Sequence, residues 1–405
     1  MKILQVCKKF PFPAKDGETI AIFNCTKSFV QLGHEVTILG MSTPKHTINK
    51  KDIPEWFSKM VKYDIVYVDT SLKVVDAFKN LFKKTSYNID RFYCKNFENK
   101  LIENLRENQY DIIQLEGLYL TPYLSVIRKY SNAPVAMRSH NVEFEIWERI
   151  SENIKSGAKK VYVKFLAERM KSYETNHVNH YDFLIPITHR DGEKFKYLGC
   201  EIPVYPLPAG VDFEALNGHA KQYQSAVNNN LPKIFFLGAM DWIPNQHGVT
   251  WFLEKVWKKV IKHEPNAEIF IAGRNFPSNM FEQNSKNIHI IGEVENAIEF
   301  MNDKSIMVVP LFSGSGMRIK IIEAMAIGKT VISTSIGAEG IDYENSKNII
   351  IADNEISFSE AILKCLREVS YAENIAKNGM LLIKDKYNNE ILTKGLIDLY
   401  KQNVK

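Results

Sequence analysis

At 405 residues, 45% hydrophobic and 24% charged, the chain has the composition of an ordinary globular protein and the length for two domains rather than one. That balance excludes a disordered, collagen-like or low-complexity chain, and no stretch approaches the roughly 20 apolar residues of a membrane-spanning helix. The net charge of +5 is unevenly shared: residues 1–210 carry 31 Lys and Arg against 24 Asp and Glu (+7), whereas residues 211–405 carry 21 against 23 (−2), so the first half suits either an anionic partner or a solvated lysine-rich face.

The opening apolar run is interrupted by Lys8 and Lys9 where the core of a secretory signal would continue, so a cytoplasmic protein is expected, with any membrane contact peripheral. Residues 1–6 read as a buried strand. A Pro-rich turn (Pro11, Pro13) and Asp16-Gly17 lead into a helical pattern ending at Gly33-His34, and residues 35–39 read as the next strand, completing a βαβ unit. Apolar runs at 64–68, 111–115, 134–137 and 183–187 alternate with helical stretches such as 97–108, the mark of a parallel doubly wound sheet. The longest helix is expected over about 150–179, and residues 204–207 have strand character. After Pro208-Ala209-Gly210-Val211-Asp212 the chain turns polar and Asn-rich, and a linker is expected over 209–232.

A second alternation follows, with strands at 233–237, 268–272, 288–291, 306–310, 330–333 and 349–351 and helices over 249–262, 297–301, 317–327 and 357–377. The expected fold is α/β: two Rossmann-like domains, 1–208 and 233–387, facing each other across a cleft, and a terminal helix over 388–405 able to pack across the domain boundary. Two open parallel sheets offer a ligand site on either wall, which favours a two-substrate enzyme. The five cysteines are widely spaced, with no Cys-x-x-Cys pair, and read as core residues rather than disulfides or zinc ligands. No dense Lys/Arg block with interleaved aromatics marks a nucleic-acid interface.

The most informative stretch runs from Val308 through Ser313-Gly314-Ser315-Gly316-Met317-Arg318 to Glu323 and Ala326. A strand enters a Gly-Ser-Gly loop and then a helix, so backbone N–H groups and the positive helix end can approach a phosphate. With a helix starting near Gly316, Gly316, Lys320 and Glu323 share one face, which suits a nucleoside diphosphate whose ribose hydroxyls donate to the carboxylate. Arg318 then points to another side unless the first turn is irregular. Taken alone, the segment also reads as a tight turn with Glu323 solvated or ion-paired.

The neighbouring motifs change the weighting. In order, the chain carries Lys9-Phe10-Pro11-Phe12-Pro13, Asp16-Gly17, Leu32-Gly33-His34-Glu35-Val36-Thr37, Arg138-Ser139-His140-Asn141-Val142-Glu143, Pro208-Ala209-Gly210-Val211-Asp212, Phe236-Leu237-Gly238, Ile271-Ala272-Gly273-Arg274, Gly292-Glu293-Val294, the loop just described, and Gly328-Lys329-Thr330-Val331. As a set, over essentially the whole chain, these resemble the family 4 retaining glycosyltransferases (glycosyl transferases group 1) of GT-B fold, which move a sugar from a nucleotide-sugar donor.

The resemblance implies that the C-terminal domain binds the donor, with Glu323 on the ribose, Gly314, Ser315, Gly316 and Met317 near the diphosphate and sugar, and Gly238, Arg274 and Val294 around the nucleotide. It implies an N-terminal domain holding the acceptor, Asp16 and Gly17 closing on the donor, and His140 beside the reacting centre, where it would polarise or hydrogen-bond the transferred sugar or its phosphate. A structural hydrogen-bonded histidine is the plainer reading of His140. Glu116, at a strand end, would orient an acceptor hydroxyl, act as a base, or cap the next helix. Trp242 and Trp147 could stack on a sugar or base, or simply pack.

No cofactor and no metal are expected, and no Asp-x-Asp motif is present. The chain departs from the family pattern at Ser315, where a second glutamate is usual, and at Met240-Asp241-Trp242 and Asn245, where an Arg and a Lys are usual. Diphosphate charge would then fall to Lys320, to Arg318 or Arg274, and to the loop amides. The expected activity is transfer of a hexose-type sugar to a glycan or lipid-linked acceptor in bacterial surface polysaccharide assembly, the +7 half lying against the membrane surface if the acceptor is lipid-linked. The alternatives are a nucleotide-sugar epimerase or hydrolase of the same fold, and a catalytically silent nucleotide-sugar-binding protein.

Overall fold

Apolar strand runs with no polar alternation require cover on both faces, and helices returning between parallel strands supply it. In the computed structural model, which describes residues 1–14, 16–73, 80, 85–154, 156–218, 231–314 and 316–403, the chain does this twice. Residues Met1–Ala209 with Leu392–Lys405 form one unit, and Gly210–Ile391 the other.

The first unit has strands β1 (Lys2–Cys7), β2 (Glu35–Ser42), β3 (Lys62–Tyr67), β4 (Ile112–Glu116), β5 (Val135–Ser139) and β6 (Phe183–Pro186). All pair in parallel, in the order β3-β2-β1-β4-β5-β6. Every residue of β4 and β5 is buried. Helix Gly17–Gln31 opens on a reciprocal cap, Asp16 accepting from the Thr19 N–H while the Thr19 side chain accepts from the Asp16 N–H. It buries Ile22, Cys25 and Phe29 against Ile3 and Ile38.

The second unit repeats the plan with β7 (Ile234–Leu237), β8 (Ile269–Ala272), β9 (Ile288–Gly292), β10 (Ile306–Val309), β11 (Thr330–Ser333) and β12 (Ile350–Ile351). Its order, β12-β11-β10-β7-β8-β9, is that of the first sheet read from the other edge. In each sheet the winding reverses once, between β1 and β4 and between β7 and β10. Ligands of such sheets bind beyond the carboxyl ends of the strands at that reversal.

Several sequence boundaries move. The helix expected over 150–179 is two, Glu143–Asn153 and Ala158–His177, parted at Gly157, whose φ of +99° a helix cannot contain. Residues 204–207 run extended beside β6 without forming a regular strand: Val204 bridges Leu184 in parallel, Tyr205 N–H donates to the Leu184 carbonyl at 2.9 Å and Leu207 N–H to the Pro186 carbonyl at 2.8 Å. The helix expected from 249 starts at Ile243 and winds more widely over Phe252–Trp257, and the one expected over 357–377 is split into Glu355–Arg367 and Val369–Lys386. Of the expected linker, 210–217 belong to the second unit, where Asp212 caps helix Phe213–Asn217, and 219–230 lie outside the described residues. The terminal helix Asn389–Asn403 completes the first unit from Leu392 onward, with Leu396, Ile397 and Tyr400 buried in its core.

Candidate active site

In the second unit the carboxyl ends of β7 and β10 are held by close backbone contacts. A Cβ on Gly273 would lie 1.9 Å from the Gly238 carbonyl oxygen, so the chains leaving β7 and β8 touch where only glycine fits. A Cβ on Gly248 would meet the Pro310 carbonyl oxygen at 2.2 Å, which seats helix Ile243–Trp251 on the end of β10. From there the loop 311–318 runs out, with Phe312 and Ser313 exposed and Gly314 at φ +115°; Ser315 lies outside the described residues.

Helix Ile319–Ala326 starts three residues later than the sequence suggests, so its first turn is not regular at Arg318. Arg318 stands at the N-cap with ψ 90°, and its Nη1 donates back to the Gly316 carbonyl. Its guanidinium lies over the Trp242 ring, 5.2 Å from the centroid. Lys320 and Glu323 share a helix face, joined at 2.7 Å, with Glu323 the more buried partner, whereas Gly316, expected on the same face, lies in the loop ahead of the helix because the helix starts only at Ile319. Arg274 follows β8 and lies 4.0 Å from the Asp241 carboxylate, whose other oxygen accepts from Asn275 at 3.0 Å. Val294 follows β9, and like Met317 is half-buried against the unit's core. Gly238, Arg274 and Val294 thus stand at the ends of three adjacent strands, and Gly314, Gly316, Arg318 and Trp242 form one contact group on the fourth side of the reversal.

In the first unit the reversal gathers charge. β1 runs into Lys8 and Lys9, β4 ends at Glu116, and β5 is followed by His140. His140 Nε2 lies 2.8 Å from Glu116 Oε2, both side chains being buried. The other oxygen of Glu116 accepts from Gln5 at 3.2 Å and from Gln114. Arg138 is also buried, 3.8 Å from Glu116, and donates to the Ala21 carbonyl at 3.2 Å. Burial pushes the Glu116 carboxyl up, but Arg138 and His140 outweigh it and hold it below the usual carboxylate range. Glu116 is therefore an ionised partner of His140; the helical turn that follows takes no side-chain cap.

Asp16 is occupied by its cap and by Lys9, whose Nζ lies 2.9 Å from it; burial raises its carboxyl, and Lys9 and the cap lower it further than burial raises it. Gly17 is exposed at the start of the helix. The structure adds residues that the sequence reading left aside. Lys8 lies 3.4 Å from Glu18, 4.0 Å from Glu143 and over the Tyr119 ring, Lys9 lies 3.2 Å from Glu18, and Tyr119 donates to Glu143 at 2.7 Å. Their sequence signal was two lysines directly after the first strand. Among the described residues no group of three His, Cys, Asp or Glu side chains is placed to hold a metal ion, and no helix is long and apolar enough to cross a membrane.

Residues 231–368, within the second unit, match the family model of glycosyl transferases group 1. A Klebsiella pneumoniae relative, described as an uncharacterized 44.6 kDa protein in the cps region, is 24% identical over 99% of this chain and 100% of its own. The Staphylococcus aureus capsular polysaccharide biosynthesis glycosyltransferase CapM is 22% identical over 48% of this chain and 53% of its own. Among solved structures, Anabaena Alr3699/HepE in complex with UDP superposes with a TM-score of 0.68 at 12% identity, over 99% of this chain and 100% of that one. The chain thus has the GT-B fold and carries a glycosyl transferases group 1 segment in its second unit.

Proposed function

We propose that this glycosyltransferase moves a sugar, with retention of configuration, from a nucleoside diphosphate sugar to a glycan or lipid-linked acceptor in surface polysaccharide assembly. The observation that carries this reading is the loop 311–318 with Lys320 and Glu323, at the sheet reversal inside the matched segment. There the helix end and loop N–H groups suit a diphosphate, and Glu323 suits ribose hydroxyls. Support for polysaccharide assembly comes from the cps-region relative and from CapM, and support for a nucleotide donor from the UDP held by HepE.

In this reaction the bond from the anomeric carbon to the phosphate oxygen breaks, and the acceptor oxygen bonds that carbon on the same face. The departing phosphate oxygen takes the acceptor proton, so neither an enzyme nucleophile nor a metal enters. His140, oriented by Glu116, hydrogen-bonds the transferred sugar or its phosphate, and Asp16 with Gly17 shapes the loop ahead of it. Arg318, Lys320 and the loop amides take the charge that develops on the diphosphate. Gly238, Arg274 and Val294 line the nucleotide.

A lipid-linked acceptor would place the enzyme at the cytoplasmic face of a membrane. Helix Ala158–His177 supports that, leaving Val161 and Tyr162 exposed among Lys159, Lys160 and Lys164. Sedimentation with vesicles containing anionic lipid, at low and at high salt, tests it; no binding at low salt rejects it.

The deciding experiment for the donor is a thermal-shift screen against UDP, GDP, ADP, CMP and their sugar conjugates. A ligand at a hundredfold its Kd adds about 2.7 kcal/mol of stability. One nucleotide should stabilise the protein and lose its effect in Glu323→Ala. Conversion of the sugar conjugate without acceptor would instead favour an epimerase or hydrolase, and binding without turnover a silent binder.

A further inference from the structure

We propose that Trp242 is a positioning residue for the donor diphosphate, acting by holding the Arg318 guanidinium against the loop 311–318; this rests on the reading of that loop as the diphosphate site. Three observations converge on it. The Arg318 guanidinium lies over the Trp242 ring at 5.2 Å. The same ring lies against the loop backbone, since a Cβ on Gly314 would meet ring carbons of Trp242 at 2.6 and 2.7 Å and Nη2 of Arg318 at 2.9 Å. Arg318 is also the residue that the helix leaves out: standing at the N-cap, it turns back and donates to the Gly316 carbonyl rather than following the helix face.

The indole, the guanidinium and the two loop glycines therefore form one layered group at the carboxyl end of β10. Its composition decides what it can do. An aromatic face fixes the plane of a guanidinium and a carbonyl oxygen fixes its edge, so together they set its orientation at the loop. A planar fork held flat on a ring is pre-set for the paired oxygens of a phosphate, and less rotamer freedom is lost when it binds. Trp242 reaches the ligand only through Arg318, by fixing that fork and by setting the path of Gly314.

The test compares nucleoside diphosphates with their nucleosides on the full chain, by calorimetry, using UDP, GDP and ADP against uridine, guanosine and adenosine. The ratio of the two affinities isolates the contribution of the diphosphate from that of the base and ribose. Trp242→Leu should lower that ratio about tenfold. Trp242→Phe, which keeps an aromatic face, should restore most of it. In an Arg318→Met background, Trp242→Leu should have little further effect, because the partner it positions is gone.

The proposal is overturned if Trp242→Leu leaves the ratio unchanged, if diphosphate and nucleoside weaken equally, or if the tryptophan effect persists without Arg318. Should Trp242→Leu fail to fold, Trp242→Phe and Arg318→Met carry the comparison: the first must keep most of the wild-type ratio and the second must lower it. Wild-type protein that binds none of the three diphosphates overturns the donor-site reading itself, whereas wild-type binding with an indifferent Trp242 overturns this inference alone.

Discussion

The hydrogen bond between His140 and Glu116 limits what each can do. An ionised carboxylate only accepts, so Nε2 of His140 directs its proton to Glu116 Oε2, and Nδ1 is the ring nitrogen left for a ligand. Replacing His140 by Ala is expected to lower turnover by about a hundredfold or more while nucleotide affinity changes little, since the side chain lies in the first unit and the nucleotide is proposed to bind the second. Full turnover in a transfer assay would remove His140 from the site. Glu116 has a separate signature in stability. Its folded pKa is depressed, so its contribution is complete above the ordinary carboxylate value of about 4.3 and is lost as pH falls through the lower folded value. Stability against pH should therefore fall in that acid window for the wild type and be flatter for Glu116→Gln. That variant also leaves Arg138 buried without its carboxylate, at a cost of about 3 kcal/mol at neutral pH, read as a lower urea midpoint.

At the scale of elements, what was legible is what a short window of sequence controls. The strands of both sheets were readable because continuous apolar runs such as Ile306–Val309 and Val135–Ser139 are buried on both faces. The loop before helix Ile319–Ala326 was readable as a loop because Ser313, Gly314 and Gly316 stand shortly after such a run. Helix boundaries were less so: Gly157 splits a helix that its periodicity joins, and Pro244, at the first turn of helix Ile243–Trp251, was a start signal left unused. The register of helix Ile319–Ala326 mattered most, because a shift of its start moved Arg318 out of the helix and onto Trp242. The cluster of Lys8, Lys9, Glu18, Tyr119 and Glu143 was illegible because its members meet only when β1, β4 and three helical segments converge. Close contact between elements gives its own prediction. Gly273→Ala would drive a methyl into the Gly238 carbonyl, where backbone and not a flexible side chain must yield. A loss of 3 kcal/mol or more, roughly, is expected from the thermal midpoint, and a midpoint within a degree of wild type would show that the Gly238 backbone yields to the methyl at little cost.

Over the whole molecule the chain does not end where its second sheet ends, and the reason lies in the first unit's core. From Leu392 onward the terminal helix supplies Leu396, Ile397 and Tyr400 to the layer that also holds Ile3, Ile22 and Phe183. Tyr400 does more than fill space. Its hydroxyl donates to Gln114 Oε1 at 2.8 Å, the Gln114 amide donates to Glu116, and Glu116 holds His140, so a buried polar chain runs from the last helix to the candidate catalytic histidine. Tyr400→Phe keeps the ring and strands the Gln114 oxygen, which should cost about 1–3 kcal/mol. If the chain orients Glu116, the variant should also lower kcat several-fold and leave nucleotide affinity alone; a stability loss with unchanged kcat would make Tyr400 a packing residue only. Removing 392–405 is the stronger form of the same argument. The first unit loses three core side chains and the anchor of Gln114, so it should melt far below the wild-type temperature. On the proposed reading the nucleotide-dependent thermal shift belongs to the second unit, whose residues end at Ile391, and should persist in a separate transition. Loss of that shift along with the first unit's fold would mean that the donor site depends on the first unit after all, and that the two sheets, though built on the same plan, do not stand independently.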